Sequence, residues 1–315
     1  MVIYLSPLRS LVLLQDFSRL LGTSAVKTTR FRPSAGGRSP VLKELGRLTP
    51  IRKEIDGPYQ PGQLFVHKVF AYRGVVICSF SCRVHEKLKA PQKSESTFDS
   101  TVSCFYQVLI HRRDWRHMRM PTDLTTYLGE CNSRGERPLA VIHGMDCVAH
   151  EEIIPYASCE TKPVDHELFE RIFEVRSGST EESNLEVCVK KELLPHYLAT
   201  QRSWLLPQEV YKETTNGVQV LVITFYLGAN MINGQQRHCW RYSIRVENLE
   251  RTTIIVRERL LKIFSLNNLQ QLNASGVVGM NPRLTSQEPA FQFSSTINLP
   301  QPKGAHMWYV ILYVV

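Results

Sequence analysis

The chain has 315 residues, 43% of them hydrophobic and 21% charged, which is enough for two domains with cores of their own and too ordinary for a disordered, collagen-like or coiled-coil protein. Its formal charge of +9 is concentrated at the front: residues 1–50 carry Arg9, Arg19, Lys27, Arg30, Arg32, Arg38, Lys43 and Arg47 against Asp16 and Glu44, a net of +6, leaving +3 for the other 265 residues. A near-neutral body gives no ground for DNA binding through bulk charge, and no run approaches the roughly 20 apolar residues of a membrane-spanning helix.

Residues 1–50 are also Ser-rich (Ser6, Ser10, Ser18, Ser24, Ser34, Ser39) and acid-poor, the composition of a mitochondrial transit peptide. In a helix, Leu11, Leu14, Ser18 and Leu21 would share one face, with Arg9 and Arg19 elsewhere. The expectation is a disordered targeting leader over 1–50, followed by a linker over 51–61 in the Pro- and Gly-punctuated stretch TPIRKEIDGPYQPG.

From Leu64 the chain runs in short β-rich stretches, LFVHKVF, VVICSF and CFYQVLI, then PLAVIHG and CVAHEEIIPYAS. Residues 85–103 are polar and read as a long surface loop. A small curled antiparallel sheet or barrel over residues 62–175 fits these strands. The composition changes at RSGSTEESN, and Leu185, Val189 and Leu193 recur at i, i+4, i+8. Residues 176–206 are therefore expected to be a linker with a helix that Pro195 disturbs near its end.

The second unit, residues 207–315, alternates clearly. CWRYSIRVEN puts Trp240, Tyr242, Ile244 and Val246 on one face of a strand and Arg241, Ser243, Arg245 and Glu247 on the other. AFQFSSTINL repeats the pattern, with Phe291, Phe293, Ile297 and Leu299 inward. VQVLVITFYL, after the Thr-Asn-Gly turn at 215–217, is a fuller apolar strand. Such strands describe an immunoglobulin- or fibronectin-like β-sandwich, so the fold class expected is mainly β, two β domains joined by a short helical linker.

Catalytic and metal chemistry find little support. The eight cysteines form no C-x-x-C pair, as zinc sites usually do, and no G-x-S-x-G, H-E-x-x-H or Walker loop is present. Cys147 beside His150 reads as a structural thiol next to a surface histidine. Neither a catalytic residue nor a cofactor is expected. The segment HRRDWRHMRM, residues 111–120, is the one place where basic and aromatic residues interleave. Arg112, Arg113, Arg116 and Arg119 would suit phosphates and Trp115 a base. The plainer reading is a solvated loop with Asp114 paired to a neighbour. The glycines of SGVVG fit an anion cradle or, more simply, a tight turn.

FYLGA, WRYSIRVENL, VRERLLKIFSL, SGVVG and PAFQFSS, in this order, resemble the ApaG domain, with Trp240, Arg241, Tyr242 and Asn248 ahead of Gly276 and Gly279. Upstream, YRGVV (Tyr72, Arg73, Gly74), YQVLI, AHEEIIPY and HELFERIF resemble the YccV/HspQ-like domain, also called the hemimethylated-DNA-binding type. A transit-like leader, this domain and then ApaG is the architecture of the polymerase delta-interacting protein 2 family. Two departures stand out: Arg259, Leu260 and Leu261 replace the family's usual Arg-His-Trp, and Ala274-Ser275-Gly276 replaces a Gly-x-Gly opening, which weakens an anion-binding role for that loop. After His306, Met307 and Trp308 the family continues with further strands, whereas here YVILYVV follows. The expectation is a shortened ApaG domain in which this stretch supplies one replacement strand.

The resemblance implies a monomeric, non-enzymatic adaptor in the mitochondrial matrix and nucleus, acting in DNA replication and repair and at the mitochondrial nucleoid. It implies as partners the small subunit of DNA polymerase delta, the sliding clamp, primase-polymerase and the matrix protease machinery. The alternative is a direct DNA-binding module acting through the first domain.

Overall fold

The computed structural model describes residues 2–5, 11–14, 43–87, 98–115, 123–127, 139–177, 185–192, 195, 207, 209–265, 268–275, 281–301 and 306–314. It is mostly β. The first domain is built from β3 (Lys43–Leu48), β4 (Leu64–His67), β5 (Arg73–Lys87), β6 (Phe98–Ile110), β9 (Met145–Ala149) and β10 (Ile153–Ser158), after β1 (Val2–Leu5) and β2 (Leu11–Leu14) and with the hairpin β7 (Asp123–Tyr127) and β8 (Leu139–His143) between β6 and β9. Its strands pair in the order β9-β6-β5-β4-β10-β3. The ladder of β5 with β6 runs from Gly74 opposite Ile110 to Lys87 opposite Phe98, with a bulge at Ile77.

Three expectations change here. The polar stretch 85–103 is not one loop: β5 runs to Lys87 and β6 starts at Phe98, so 85–87 and 98–103 pair in a two-stranded arm, and 88–97 lies outside the described residues. Polar composition misled because the arm is exposed on both faces there: Ser100, Thr101 and Val102 are exposed in succession, so neither face of the strand needs apolar residues. The front of the chain is not structureless as far as residue 50. Leu11–Leu14 is a strand paired with Val2–Leu5, and Lys43–Leu48 pairs with both β1 and β10. Four-residue apolar runs with Val2, Ile3 and Val12 suit extended pairing better than a helical turn. Leu45 is 2% exposed, and its carbonyl accepts from Ser158 Oγ at 3.2 Å and Cys159 N at 3.1 Å.

The third change concerns the linker. β11 (Phe173–Ser177) and β12 (Leu185–Val189) form an antiparallel hairpin, Phe173 opposite Val189. Leu185 and Val189 satisfy a helical spacing, but with Val187 between them they satisfy a period of two equally well, and β-branched residues decide for the strand.

The second domain is a fibronectin-like β-sandwich. Its first sheet is β13 (Glu209–Thr215), β14 (Val218–Ile232), β15 (Gln235–Asn248) and β19 (Ala290–Leu299). Asn216-Gly217 and Asn233-Gly234, all at positive φ between 47° and 74°, make the two hairpin turns that suit right-handed strand twist. In the second sheet, β16 (Ile254–Ser265) pairs with β17 (Asn268–Ser275), β18 (Arg283–Leu284) and β20 (His306–Val314). The terminal apolar stretch thus does form a strand, running along β16 from Phe264 opposite His306 to Ile255 opposite Val314.

The domains share a sheet. Val210 to Glu213 of β13 pair parallel with Val84 to Lys87 of the β5 arm. Beneath that joint Cys82, Val84, Phe105 and Ala149 of the first domain pack with Val210, Leu221, Ile223, Phe225, Leu227 and Cys239 of the second. β14 is apolar on both faces for this reason: Val218 meets the sandwich core, while Leu221, Ile223 and Phe225 meet the first domain. Each large side chain buried in this way contributes about 1.5–3 kcal/mol.

Candidate functional site

The polar face of β15 is buried. Arg241 and Arg245, on one side of the strand at i and i+4, are 4% and 6% exposed, covered by the first domain. An Nη2 hydrogen of Arg245 is donated to Oε1 of Glu152. The other carboxylate oxygen lies 3.5 Å from Nε2 of His67 and accepts from the Ala149 amide at 3.3 Å. His67 Nδ1 accepts from the amides of Val69 (3.1 Å) and Phe70 (3.2 Å), so its hydrogen sits on Nε2, facing Glu152. Burial alone would raise the Glu152 carboxyl, but Arg245 and His67 outweigh it and hold the group well below its ordinary 4.5.

A second carboxylate stands beside the first. Asp146 Oδ2 accepts from Tyr72 Oη at 3.0 Å, and its Oδ1 accepts from Gln292 Nε2 at 3.0 Å and the Cys147 amide at 2.8 Å. Here burial wins and the carboxyl is raised. Gln292 comes from β19, so this network also crosses between the domains. The Arg241 guanidinium lies 3.7 Å from the centroid of the Phe225 ring, and burial pushes its pKa down to about 9. Desolvation also places Tyr72 and Cys147 well above their ordinary ranges, so at neutral pH the phenol and thiol stay protonated.

The segment at residues 111–120 is organised from beneath by Arg73, itself 2% exposed. Its Nε and Nη2 donate to the two oxygens of Asp114 at 2.8 and 3.0 Å, its amide donates to Oδ2 at 2.9 Å, and Nη1 reaches Glu160 at 3.3 Å. Asp114 is thereby turned inward and a helical turn, Arg112–Trp115, is fixed. Arg112 and Arg113 remain exposed, while the backbone of Arg112 is held by Asp165 O at 2.8 Å. Beneath them His111 is pushed down to about 4 by burial and by Arg73. Arg112 and Arg113, consecutive in the chain, are thus both on the surface. The Trp115 side chain, Arg116 and Arg119 lie outside the described residues, as do Gly276 and Gly279.

The other motif positions are structural. A Cβ on Gly74 would sit 2.7 Å from the Leu109 carbonyl oxygen and 2.8 Å from the Phe65 ring. Tyr242 is in the sandwich core, and Trp240 packs on Tyr226 at 4.8 Å. Asn248 Nδ2 donates to the Thr252 carbonyl at 2.6 Å, and its Oδ1 accepts from the Glu250 amide at 3.0 Å, closing the turn after β15. Nor is His150 a surface residue. It is 4% exposed, stacks on Tyr59, and engages both ring nitrogens, Nδ1 with Tyr106 Oη at 2.7 Å and Nε2 with the Arg52 carbonyl at 2.9 Å. Sequence reading missed Glu152, Asp146, His67 and Gln292. The available signal was the charge inside otherwise apolar strands, as in MDCVA, and two arginines on one strand face.

Residues 58–180 match the family described as hemimethylated DNA-binding protein YccV like, and residues 229–308 match the ApaG domain. Polymerase delta-interacting protein 2 of Mus musculus is 36% identical over 299 residues, covering 90% of this chain and 78% of the relative. Its Homo sapiens counterpart is 36% identical over 300 residues, covering 90% and 79%. Protein ApaG of Paramagnetospirillum magneticum is 30% identical over 96 residues, 30% of this chain and 73% of that protein. With a YccV-like domain followed by an ApaG domain and this identity along nine-tenths of its length, the chain belongs to the polymerase delta-interacting protein 2 family.

Proposed function

We propose that the protein is a non-enzymatic adaptor of the mitochondrial matrix, active also in the nucleus, that presents two fixed β surfaces to proteins of DNA replication and repair. The observation that carries this reading is the joint between the domains. Strand pairing of β13 with β5, a shared apolar layer and the Arg245–Glu152–His67 group hold both domains in one orientation. The buried charged groups described here are committed to that joint or to the Arg73 cluster. Relatives named as polymerase delta-interacting proteins support an adaptor role, and the partners expected are the small subunit of DNA polymerase delta, the sliding clamp, primase-polymerase and matrix protease machinery. The basic, Ser-rich front of the chain supports import.

The test is direct binding of the purified chain to the polymerase delta small subunit, together with imaging of residues 1–50 fused to a fluorescent protein. Saturable binding and mitochondrial fluorescence are the expected results. Arg112 and Arg113, exposed on a turn fixed by Arg73, favour a second reading as a DNA-binding module. If a labelled duplex binds with steep salt dependence, and alanine at Arg112 and Arg113 removes that binding, this reading replaces the first.

A further inference from the structure

β6 is covered unevenly. It pairs with β5 along its whole length, but its other edge meets β9 only from Phe105 to Leu109. Among the described residues, no strand pairs with that edge over Phe98–Cys104. The Cys104 amide, which points out of this edge, is instead bound by the carboxylate of Glu54, standing where a neighbouring strand's carbonyl would be. Backbone direction alternates along a strand, so the N–H and C=O of Val102 and Ser100 point the same way as those of Cys104. Exposed edges are usually blunted by charged side chains, lysine above all, or by proline; Phe98–Cys104 contains no lysine or proline, and Asp99 is its one charged residue. Val102 is 70% exposed, and Ile55, next to the capping Glu54, is 91% exposed. Across the ladder from Val102 stands Arg83, exposed and without an ion pair among the described residues.

We propose that the outer edge of β6 over Phe98–Cys104 is a docking strand for an extended segment of a partner protein. That segment would pair by backbone hydrogen bonds, set an apolar side chain beside Val102 and Ile55, and direct an acidic side chain towards Arg83. This is β-strand addition, with main-chain bonds supplying affinity and alternate side chains supplying selectivity. The inference rests on the adaptor reading only for its biological use, because the edge is tested without any named partner.

The experiment measures hydrogen exchange of the full chain with and without a capped heptapeptide that alternates valine and threonine between two glutamates. The expected result is slowed exchange confined to Phe98–Cys104. Val102→Pro removes one outward amide without touching the β5 ladder, is tolerated at an edge, and should weaken the peptide at least tenfold at unchanged thermal stability. Arg83→Glu, which leaves the edge intact, should weaken it several-fold. Protection elsewhere, no protection, or full affinity in Val102→Pro would overturn the proposal. So would a concentration-dependent dimer that Val102→Pro abolishes, since the edge would then pair with a second copy. Failure to bind the polymerase subunit, with peptide pairing intact, would count against the adaptor's named partner and not against the docking strand.

Discussion

Two arginines, Arg73 and Arg245, are buried to nearly the same degree and face carboxylates, yet they do different things. Arg73 works inside the first domain, where a bidentate pair with Asp114 and a contact to Glu160 fasten a surface turn. Arg245 reaches from the second domain to Glu152 in the first, which His67 also faces. One ion group shapes what the molecule shows to partners, and the other determines how its halves are set. Buried ion pairs often contribute little net stability compared with apolar packing. Their worth here lies in geometry, and the cost appears when one member is removed.

The comparison is sharpest at Glu152. Replacing it with glutamine leaves Arg245 buried without a compensating charge and should cost about 3–5 kcal/mol in chemical denaturation. Because the folded carboxyl is held below its ordinary 4.5, the stability it supplies is present above that value and is lost as the pH falls through the folded one. The gap between the native protein and Glu152→Gln should therefore narrow in acid. Asp114→Ala comes next, at about 1–3 kcal/mol, since Arg73 keeps Glu160. Exchange at residues 111–115 should quicken while the domain joint stays protected. If Asp114→Ala loosens the joint as much as Glu152→Gln does, the division of labour fails.

Asp146→Asn should change stability by less than about 1 kcal/mol at neutral pH, because the amide oxygen can still accept from Cys147 and Gln292 and the Tyr72 hydroxyl can accept from the amide. The raised carboxyl makes the native fold favour the protonated form. The native protein should therefore gain on the variant as the pH falls, the opposite sign to Glu152. Smallest are Arg112→Ala and Arg113→Ala, exposed positions where stability should move by no more than about 0.5 kcal/mol. Thermal denaturation checks that, and any effect would appear instead in binding.

Much of the fold was legible because pattern and burial agree. The alternation in β15 and β19 and the Asn-Gly turns carry their own signals. The failures came where one pattern admitted two meanings. Leu185, Val187 and Val189 fit either period, and the polar residues of 85–103 suit a loop or a two-stranded arm with both faces wet. Arg241 and Arg245 were read as outward, which is correct for the sandwich, but the first domain covers that side. No local pattern reports a cover supplied by residues some 90 positions away, as Glu152 is from Arg245. The site was legible only as motifs: Tyr72, Arg73 and Arg241 stood out and Asp114 was expected to pair with a neighbour, whereas Asp146, Phe225 and the pairing of Asp114 with Arg73 become visible only in three dimensions.

The parallel joint of β13 with β5 also bears on the order of events during synthesis. The arm that receives β13 is complete once β6 has emerged, roughly a hundred residues before β13 itself. As the ribosome delivers the chain, the first domain can stand ready as a template, and the late sandwich can start from a strand that is already seated. Lesions in the arm should therefore lower the yield of correctly folded second domain, even when every residue of that domain is intact.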